Sequence, residues 1–356
     1  MRAAIVGCGN IAAVHAAVVS RLKGCKLVGF ADIEKSRAEN FARQYGGNAY
    51  VSFEEMLEKE RPDVLHICAP HYLHVPMAVY GLTHGTHIFM EKPPVISKEQ
   101  FGELETAVEN SEKRIGFCFQ NRYNPCVLLA RRLLETEAGS VRGARGLVTW
   151  SRGEKYYTES GWRGRLATEG GGALINQSVH TLDLLVYLLG KPVWTDAGMS
   201  NHHLRGIIEV EDTMEAMIGF ADKNACFYAT TAYCTDMPPM IEIVCENMTI
   251  RMEDPEVTIR YRDGRVEKPM LEAKSPMGKS CWGSGHTGCI SAFYCSLETL
   301  ERFEEDWEGV RDTVRLMLAV YESARNRIPM DVETLQETAF FRAGGAPGRM
   351  PDSYGV

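Results

Sequence analysis

Residues 1–12 have the sequence Met-Arg-Ala-Ala-Ile-Val-Gly-Cys-Gly-Asn-Ile-Ala, and this stretch decides the fold. Residues 3–6 are a short apolar run that predicts a strand buried on both faces, and the residues after Ala12 predict a helix. Gly7 permits the tight turn between the two elements, and Gly9 lets a pyrophosphate approach the amides at the helix N-terminus. The pattern is typical of a dinucleotide-binding turn.

A carboxylate follows at the distance that this motif requires. Residues 26–31 predict a second strand, which ends at Asp32, about twenty residues beyond the glycine turn, where a carboxylate can bind the adenosine ribose hydroxyls. Because Asp32 repels a 2′-phosphate, the sequence favours NAD, although Lys35 or Arg37 could bind that phosphate and leave NADP open. An ordinary strand-turn-helix with glycines kept for packing is the alternative, which the spacing of Asp32 disfavours.

Composition excludes several classes of protein. A chain of 356 residues is long enough for two domains with separate cores. The net charge of −8 gives no footprint for nucleic acid or an anionic membrane, and no apolar run is long enough to span a bilayer. The eleven cysteines are scattered and form no Cys-x-x-Cys pair, which favours reduced thiols in a cytoplasmic protein.

The pattern of apolar runs changes near residue 120. Residues 1–119 alternate short apolar runs with helical segments, which predicts an α/β Rossmann domain with a doubly wound parallel sheet. Residues 120–335 contain strands without intervening helices, which predicts an α+β domain with an open, mainly antiparallel sheet. The tail, residues 336–356, is rich in glycine and proline and is expected to be loose or to cover a neighbouring subunit. The long helices predicted in the second part are residues 173–189, 287–303 and 310–326.

Five motifs occur in order along the chain. They are Ala-Ile-Val-Gly-Cys-Gly-Asn-Ile-Ala (4–12), Ala-Asp (31–32), Ala-Pro-His-Tyr-Leu-His (69–74), Glu-Lys-Pro (91–93) and Gly-Gly-Gly-Ala-Leu-Ile-Asn-Gln-Ser-Val-His-Thr-Leu-Asp (170–183). This order resembles the Gfo/Idh/MocA family of NAD(P)-dependent oxidoreductases of sugars, cyclitols and related polyols. The resemblance covers the chain up to about residue 332. It implies hydride transfer between a hydroxyl-bearing carbon of a sugar, glycoside or cyclitol and nicotinamide, and a homo-oligomer, a dimer or tetramer, formed through the outer face of the second sheet.

Lys92 follows the strand predicted for residues 87–90, at the sheet edge where ligands bind. Burial would lower its pKa and let it polarise or deprotonate a substrate hydroxyl, and the resemblance gives this role to the lysine of Glu-Lys-Pro. A solvated surface lysine is the alternative. The resemblance also implies cofactor contacts from the glycine turn and from loops that follow the strands. The residues expected to bind the cofactor are Gly7, Gly9, Asn10, Ile11, Asp32, Arg37, Ala69, Pro70, His71, Glu91 and Lys92.

Asn176, His180 and Asp183 are spaced by four and three residues, so a continuous helix would place them on one stripe. His180 is the natural proton acceptor, and Asp183 could orient its ring. A buried structural histidine is the more frequent case in general, but the catalytic histidine of the resembled family matches this position. Many members carry aspartate where Asn176 stands. Because an amide cannot take a proton, we expect Asn176 to position a substrate hydroxyl, with Lys92 and His180 as the acid–base pair.

Other polar residues are candidates for the substrate site. Arg122 and Tyr123 lie where the first domain passes to the second and are expected to line the cleft. Trp162 and Arg163 match a Trp-Arg pair near the active site of the resembled family, so either could bind substrate, and a structural role stays open. The glycines at 170–172 either let the backbone approach the nicotinamide or substrate, or form a flexible loop.

No metal site is expected, because His202, His203 and His286 have no carboxylate or cysteine partners at ligand spacing. The few obvious phosphate clamps favour a neutral sugar, glycoside or cyclitol over a sugar phosphate. Two alternatives remain for the function. One is a lyase or epimerase that uses tightly held NAD for transient sugar oxidation, and the other is a non-catalytic regulator that senses NAD or sugars.

Overall fold

The computed structural model describes residues 1–271 and 284–338, and the first part of the chain forms a parallel sheet. Its strands are β1 (Arg2–Val6), β2 (Lys26–Ala31), β3 (Asn48–Tyr50), β4 (Val64–Ile67), β5 (His87–Met90) and β6 (Ile115–Phe117). The helices that connect them are α1 (Asn10–Val19), α2 (Lys35–Tyr45), α3 (Phe53–Glu60), α4 (His74–Thr83) and α5 (Lys98–Glu109). The strand order is β3-β2-β1-β4-β5-β6, and neighbouring strands are parallel. The predicted doubly wound sheet is confirmed, and its order reverses between β1 and β4, where such sheets bind ligands.

Strands β4 and β5 are buried along almost their whole length because helices cover both faces of this sheet. Serine caps begin two of the helices. Ser52 Oγ accepts a hydrogen bond from the amide of Glu55 before α3, and Ser97 Oγ accepts one from the amide of Gln100 before α5. Strand β5 ends at Met90, so the segment that follows lies at the carboxyl edge of the parallel sheet.

The second part of the chain forms a larger sheet. Its strands are β7 (Val141–Thr149), β8 (Pro192–Ser200), β9 (Thr213–Phe220), β10 (Asn224–Thr230), β11 (Met240–Cys245), β12 (Met248–Glu253), β13 (Glu256–Tyr261), β14 (Val266–Glu267) and β15 (Met330–Asp331). Its helices are α6 (Pro125–Thr136), α7 (Glu154–Thr158), α8 (Leu166–Glu169), α9 (Val179–Leu189), α10 (His286–Thr299) and α11 (Trp307–Asn326). The order is β14-β13-β12-β11-β7-β10-β9-β8-β15, in which β7 and β10 are parallel and the other neighbours antiparallel. The predicted mainly antiparallel sheet is confirmed.

Helices α9 and α11 pack against one face of this sheet. The strand register places Met217, Cys226 and Val244 together on the other face, where all three are exposed. No helix of the described residues combines the length and the apolar character that crossing a bilayer requires.

The helix predicted for residues 173–189 is interrupted. Residues Ala173–Ser178 form a π-helical turn, and α9 begins only at Val179. The hydroxyl of Ser178 donates to the carbonyl oxygens of Ala173, at 2.7 Å, and Leu174, at 3.1 Å, which is the kind of side-chain insertion that widens a helical turn. Asn176 therefore does not share one α-helical stripe with His180.

Helix α10 begins one residue before the predicted helix, at His286, and ends at Thr299 instead of residue 303. It follows strands β7 to β14 of the second sheet in sequence but packs against α1, and its Phe293 shares a core with Ile5 and Phe30 of the first sheet. Helix α10 thus completes the core of the first sheet. Of the predicted tail, residues 339–356 lie outside the described residues.

Candidate active site

The turn between β1 and α1 has the geometry that its two glycines predict. Gly7 has φ +84°, and a Cβ there would lie 2.6 Å from the carbonyl oxygen of Cys68, so only glycine fits. Gly9 precedes α1, and a Cβ there would meet no described atom within 4 Å. No described side chain caps α1, so the amides that begin with Asn10 and Ile11 are left for a ligand. This open helix terminus fits a pyrophosphate.

Asp32 lies at the end of β2, where its carboxylate is already partly engaged. One oxygen accepts from the amide of Cys8 and the other from the amide of Glu34, both at 2.8 Å. Each oxygen keeps a further lone pair, which leaves an acceptor for each of two ribose hydroxyls. The two basic residues nearby are paired with carboxylates, Lys35 with Glu39 at 3.5 Å and Arg37 with Glu34 at 2.8 Å. The charge balance at this end of β2 favours NAD over NADP.

Glu91 is part of a buried chain of hydrogen bonds that links the end of β5 to α1, β4 and α10. It accepts from His15 Nε2 at 2.9 Å, His15 Nδ1 lies 2.9 Å from His66 Nδ1, and His66 Nε2 lies 2.8 Å from the hydroxyl of Tyr294 on α10. Burial by itself would raise the pKa of Glu91, but the hydrogen bond from His15 and neighbouring positive charge bring that pKa well below its usual range. Glu91 is therefore an ionised carboxylate beneath the site, with its side chain bound to protein and not turned to a ligand.

Cys118 lies beside this chain. Its sulfur and one ligand atom each of His15 and Glu91 are within 4.8 Å of one another, a buried group that residue spacing did not reveal. His15 Nε2 already donates to Glu91, so hydrogen bonding accounts for the closeness of these two residues.

Lys92 extends its ammonium group from the end of β5 to the segment that precedes α9. The Nζ atom donates to the backbone carbonyl of Asn176 at 2.8 Å, which uses one of its three hydrogens. Burial lowers the pKa of Lys92, and the charge of Glu91 opposes that shift. The alternative of a solvated surface lysine is thus excluded, because Lys92 is partly buried and its Nζ is bound to the backbone of Asn176.

His180 lies in the first turn of α9, and its Nε2 is 3.4 Å from the side-chain nitrogen of Gln120. Its Nδ1 is buried and has no hydrogen-bond partner among the described residues. Burial lowers the pKa of His180 to about 3, and the charge of Lys92 contributes to the shift. At neutral pH the ring is therefore a neutral imidazole, which can accept a proton.

Asp183 does not orient the ring of His180, which corrects the prediction from spacing. Its carboxylate is buried and accepts from Arg122 Nε and from the hydroxyl of Thr313, both at 2.8 Å. The guanidinium of Arg122 also lies over the ring of Tyr187, with its carbon 4.7 Å from the ring centroid. Arg122, expected to line the cleft, is instead a buried residue of the junction between the two parts of the chain.

Tyr123 departs from the prediction in the same way. Its hydroxyl donates to Glu305 at 2.9 Å, and its ring packs beside Gly288 of α10. Burial raises the pKa of Tyr123 far above its usual range. We assign neither Arg122 nor Tyr123 a contact with substrate.

The structure brings Trp162 and Arg163 together with His71. The rings of His71 and Trp162 have centroids 4.6 Å apart, and the guanidinium of Arg163 lies 5.0 Å from the Trp162 ring. Arg163 forms no ion pair with another described residue, and its Nε has no hydrogen-bond partner there. Ala69 and Pro70 lead into this segment, where the carbonyl of Ala69 accepts from the ring of His74.

Two residues of the site were missed by the sequence analysis. Glu169 is fully buried at the end of α8 and accepts a hydrogen bond from the side-chain amide of Asn176. Tyr156 of α7 lies 3.5 Å from the same amide, and its hydroxyl accepts from Gln177 at 2.9 Å. The sequence signal for Glu169 was its place directly before the glycines at 170–172.

Those glycines are explained by packing, not by the approach of a ligand. A Cβ on Gly171 would lie 2.0 Å from the hydroxyl of Tyr321, and one on Gly172 would lie 2.1 Å from the carbonyl oxygen of Glu211. The carboxylate of Glu211 in turn accepts from the amides of Gly172 and Leu174, each at 3.0 Å. The loop before Asn176 is therefore a fixed segment and not a flexible one.

Comparisons with known proteins agree with this architecture. A model of the oxidoreductase family with an NAD-binding Rossmann fold matches residues 1–119, and a model of the GFO/IDH/MocA C-terminal domain matches residues 127–251. D-glucoside 3-dehydrogenase of Escherichia coli K12 is 31% identical over 196 residues, which are 54% of this chain and 55% of that protein. Glucose-6-phosphate 3-dehydrogenase of Bacillus subtilis 168 is 27% identical over 199 residues, again 54% and 55%. The match spans about half the length of these curated relatives.

Solved structures match over more of the chain. The WlbA dehydrogenase of Chromobacterium violaceum, solved with NADH and UDP-GlcNAcA, has a TM-score of 0.82 at 25% identity, covering 93% of this chain and 95% of that one. Levoglucosan dehydrogenase with NADH and levoglucosan has a TM-score of 0.82 at 20% identity, covering 93% and 99%, which shows a shared fold. From both family models, the motifs and the two sheets, the chain belongs to the Gfo/Idh/MocA family.

Proposed function

We propose that this chain is an NAD-dependent oxidoreductase that transfers hydride between a hydroxyl-bearing carbon of a sugar, glycoside or cyclitol and nicotinamide. One observation carries the proposal. Lys92 follows β5 at the sheet edge where the open terminus of α1 lies, and its Nζ reaches the segment before α9. Its charge acts on the neutral imidazole of His180 in the first turn of α9. A donor and an acceptor of protons beside a dinucleotide turn are what oxidation of a hydroxyl requires.

The cofactor would be held by the first part of the chain. The amides behind Gly9 would bind the pyrophosphate, and the free lone pairs of Asp32 would bind the ribose hydroxyls. Bound NAD supplies the hydride acceptor. The paired state of Lys35 and Arg37 supports NAD as the preferred cofactor over NADP.

The proton of the substrate hydroxyl is handled by the second part of the chain. In the oxidative direction the ring of His180 accepts that proton, for which a neutral imidazole is needed. Lys92, with hydrogens left over from its bond to Asn176, donates to the substrate oxygen as negative charge develops there. Asn176 positions a neighbouring hydroxyl. The relatives that oxidise glucosides and glucose 6-phosphate support a sugar-like substrate, and we favour a neutral one.

We further propose that copies of the chain associate through the outer face of the second sheet. Met217, Cys226 and Val244 expose sulfur or apolar atoms on that face, and no described helix covers it. Light scattering of the purified protein should give the mass of a dimer or tetramer, and Met217→Lys should lower that mass.

The acid–base pair is tested by Lys92→Met and His180→Ala. Either substitution should lower turnover by about 100-fold or more while NAD affinity, measured by calorimetry, changes little. Lys23→Met, at an exposed position near the opposite edge of the sheet, is the matched control and should leave turnover unchanged. Full turnover by either variant with NAD bound would refute the proposed roles.

The two alternatives give different results in the same assay. A lyase or epimerase with transient oxidation would convert the sugar without net NADH, and a regulator would bind NAD or sugar without any change in either. The presence of both Lys92 and His180 argues against the non-catalytic regulator.

A further inference from the structure

Glu169 is a buried carboxylate that has no role in the acid–base mechanism proposed above. Its side chain is 0% exposed, one oxygen accepts from the backbone amide of Gly164, and the other accepts from Asn176 Nδ2. It takes part in no ion pair within 4.0 Å among residues 1–271 and 284–338. Its backbone carbonyl also accepts from His71 at 2.9 Å, so both the backbone and the side chain of Glu169 are held by hydrogen bonds.

The chemistry of a carboxylate constrains the amide that faces it. An ionised carboxylate only accepts hydrogen bonds, so both of its partners must be donors. The amide of Gly164 belongs to the backbone and cannot turn, whereas the side-chain amide of Asn176 can exchange its donor and its acceptor by a half rotation. Glu169 therefore decides that Nδ2 of Asn176 points toward it and that Oδ1 points away.

The freed oxygen lies in the right place to contact a substrate. Oδ1 of Asn176 accepts no hydrogen bond from a described residue and is not closed off from solvent. The backbone carbonyl of the same residue accepts from Lys92 Nζ at 2.8 Å, so the amide is next to the group that would hold the reacting hydroxyl.

We propose that Glu169 is a positioning residue that turns the amide of Asn176 so that Oδ1 accepts a hydrogen bond from a second substrate hydroxyl, next to the one that is oxidised. The inference rests on the proposed function and narrows its substrate to vicinal diols, as found in sugars and cyclitols. A substrate that lacks the second hydroxyl would leave Oδ1 without its donor.

The protonation state of Glu169 gives the proposal a pH signature. Burial raises the pKa of Glu169 to about 7, against the hydrogen bonds from Gly164 and Asn176, which lower it. The charged and titratable groups that act on it or respond to it are Arg163, Lys92, Glu211, Tyr157 and Tyr321. Once protonated, the carboxyl can donate to Asn176, which permits the amide to turn and places a donor in the cleft. The kcat/KM of the wild type should therefore fall below pH 7.

Glu169→Gln tests this directly. Its single side-chain oxygen stays with the fixed amide of Gly164, so its NH2 group faces Asn176 and forces that amide to turn. At pH 8 we expect kcat/KM for a vicinal diol to fall about 10- to 100-fold and the decline below pH 7 to disappear. Glu209→Gln is the matched control, since Glu209 is an exposed carboxylate that accepts from the amide of Leu166 at the other end of α8.

A second substitution separates positioning from mere support of the fold. In Glu169→Gln with Asn176→Asp, the NH2 of position 169 again meets an acceptor, and the other oxygen at position 176 again faces the cleft as an acceptor. We expect this double variant to recover to within about fivefold of the wild type, whereas Asn176→Asp alone, which places two carboxylates in contact, stays impaired. A double variant no better than Glu169→Gln, or a single variant with wild-type kcat/KM and pH profile, would overturn the proposal.

The outcome is distinguishable from failure of the proposed function. If the wild type binds a sugar without transferring hydride, the oxidoreductase proposal fails, and the affinity of the same variants for that sugar still reports on Glu169. The NAD affinity of all variants should equal that of the wild type.

Discussion

Replacing Gly9 with alanine shows whether the pyrophosphate of the cofactor lies on the turn before α1. Gly9 has φ −87°, which alanine adopts without strain, and the added Cβ would meet no described atom within 4 Å. Glycine is preferred over alanine at the residue before a helix, so the substitution costs some stability there. Alanine also reduces the conformational entropy of the unfolded chain, which stabilises the folded protein. The two effects nearly cancel, so the free energy of unfolding should change by less than about 1 kcal/mol. The substitution should therefore leave the fold intact.

The substitution of Gly9 should weaken the binding of NAD. A methyl group at Gly9 occupies the space into which the phosphates must come to reach the amides, and crowding of this kind costs about 1–3 kcal/mol. At 1.4 kcal/mol for each factor of ten, the Kd for NAD should rise about 5- to 150-fold. Gly7→Ala should instead destabilise the fold, because φ is +84° there and the added Cβ would lie 2.6 Å from a backbone oxygen. The free energy of unfolding should fall by about 2–5 kcal/mol.

Calorimetric titration with NAD and urea unfolding measure the two effects separately. Gly102→Ala is the control, since this glycine lies inside α5 with no described atom near its Cβ position, and alanine there should stabilise by about 1 kcal/mol without altering the Kd. If Gly9→Ala binds NAD as tightly as the wild type does, the pyrophosphate does not lie on this turn and the assignment is refuted.

Three further substitutions test other parts of the account. Asp32→Ser removes the carboxylate that faces the ribose, so the ratio of kcat/KM for NAD to that for NADP should fall about tenfold or more, and an unchanged ratio would contradict the role of Asp32. Arg122→Met leaves Asp183 buried without its cation and should lower the free energy of unfolding by about 3–5 kcal/mol in urea titrations, while KM for the substrate stays the same. Burial raises the pKa of Glu305 to about 7, so ionising it in the folded protein costs stability that is regained as pH falls through 7 toward the unfolded value of 4.5. Between pH 8 and pH 6 the wild type should therefore gain about 1.3 kcal/mol relative to Glu305→Gln, whereas the exposed control Glu301→Gln should show no such change, and parallel profiles for both variants would exclude the shift.

The parts of the fold that could be predicted depend on signals close together in the sequence. The turn at Gly7 and Gly9, the carboxylate at Asp32 and the apolar strands around them are local features, and each was found where it was expected. The change from alternating helices to consecutive strands near residue 120 is likewise visible in the order of the apolar runs, so both sheets could be predicted.

The features that could not be predicted depend on contacts between distant residues. The pairing of Arg122 with Asp183 spans 61 positions, and helix periodicity alone gave Asp183 to His180 instead. The contact from Tyr294 to His66 spans 228 positions, and nothing in the composition of α10 indicates that it packs on the first sheet.

In the site, even contacts between residues close in sequence could not be predicted from their spacing. The π-helical turn that displaces Asn176 depends on where the hydroxyl of Ser178 donates, which spacing does not reveal. Glu169 becomes informative only when its carboxylate is found against the amide of Asn176.

The most direct test of the central claim is the absorbance of reduced nicotinamide when the purified protein meets NAD, and separately NADP, with a panel of neutral sugars, glycosides, inositols and sugar phosphates. We predict a substrate-dependent rise with NAD, larger than with NADP, for at least one neutral vicinal diol, and loss of that rise in Lys92→Met. A flat trace for every compound, with NAD binding demonstrated by calorimetry, would contradict the assignment of this chain as a dehydrogenase.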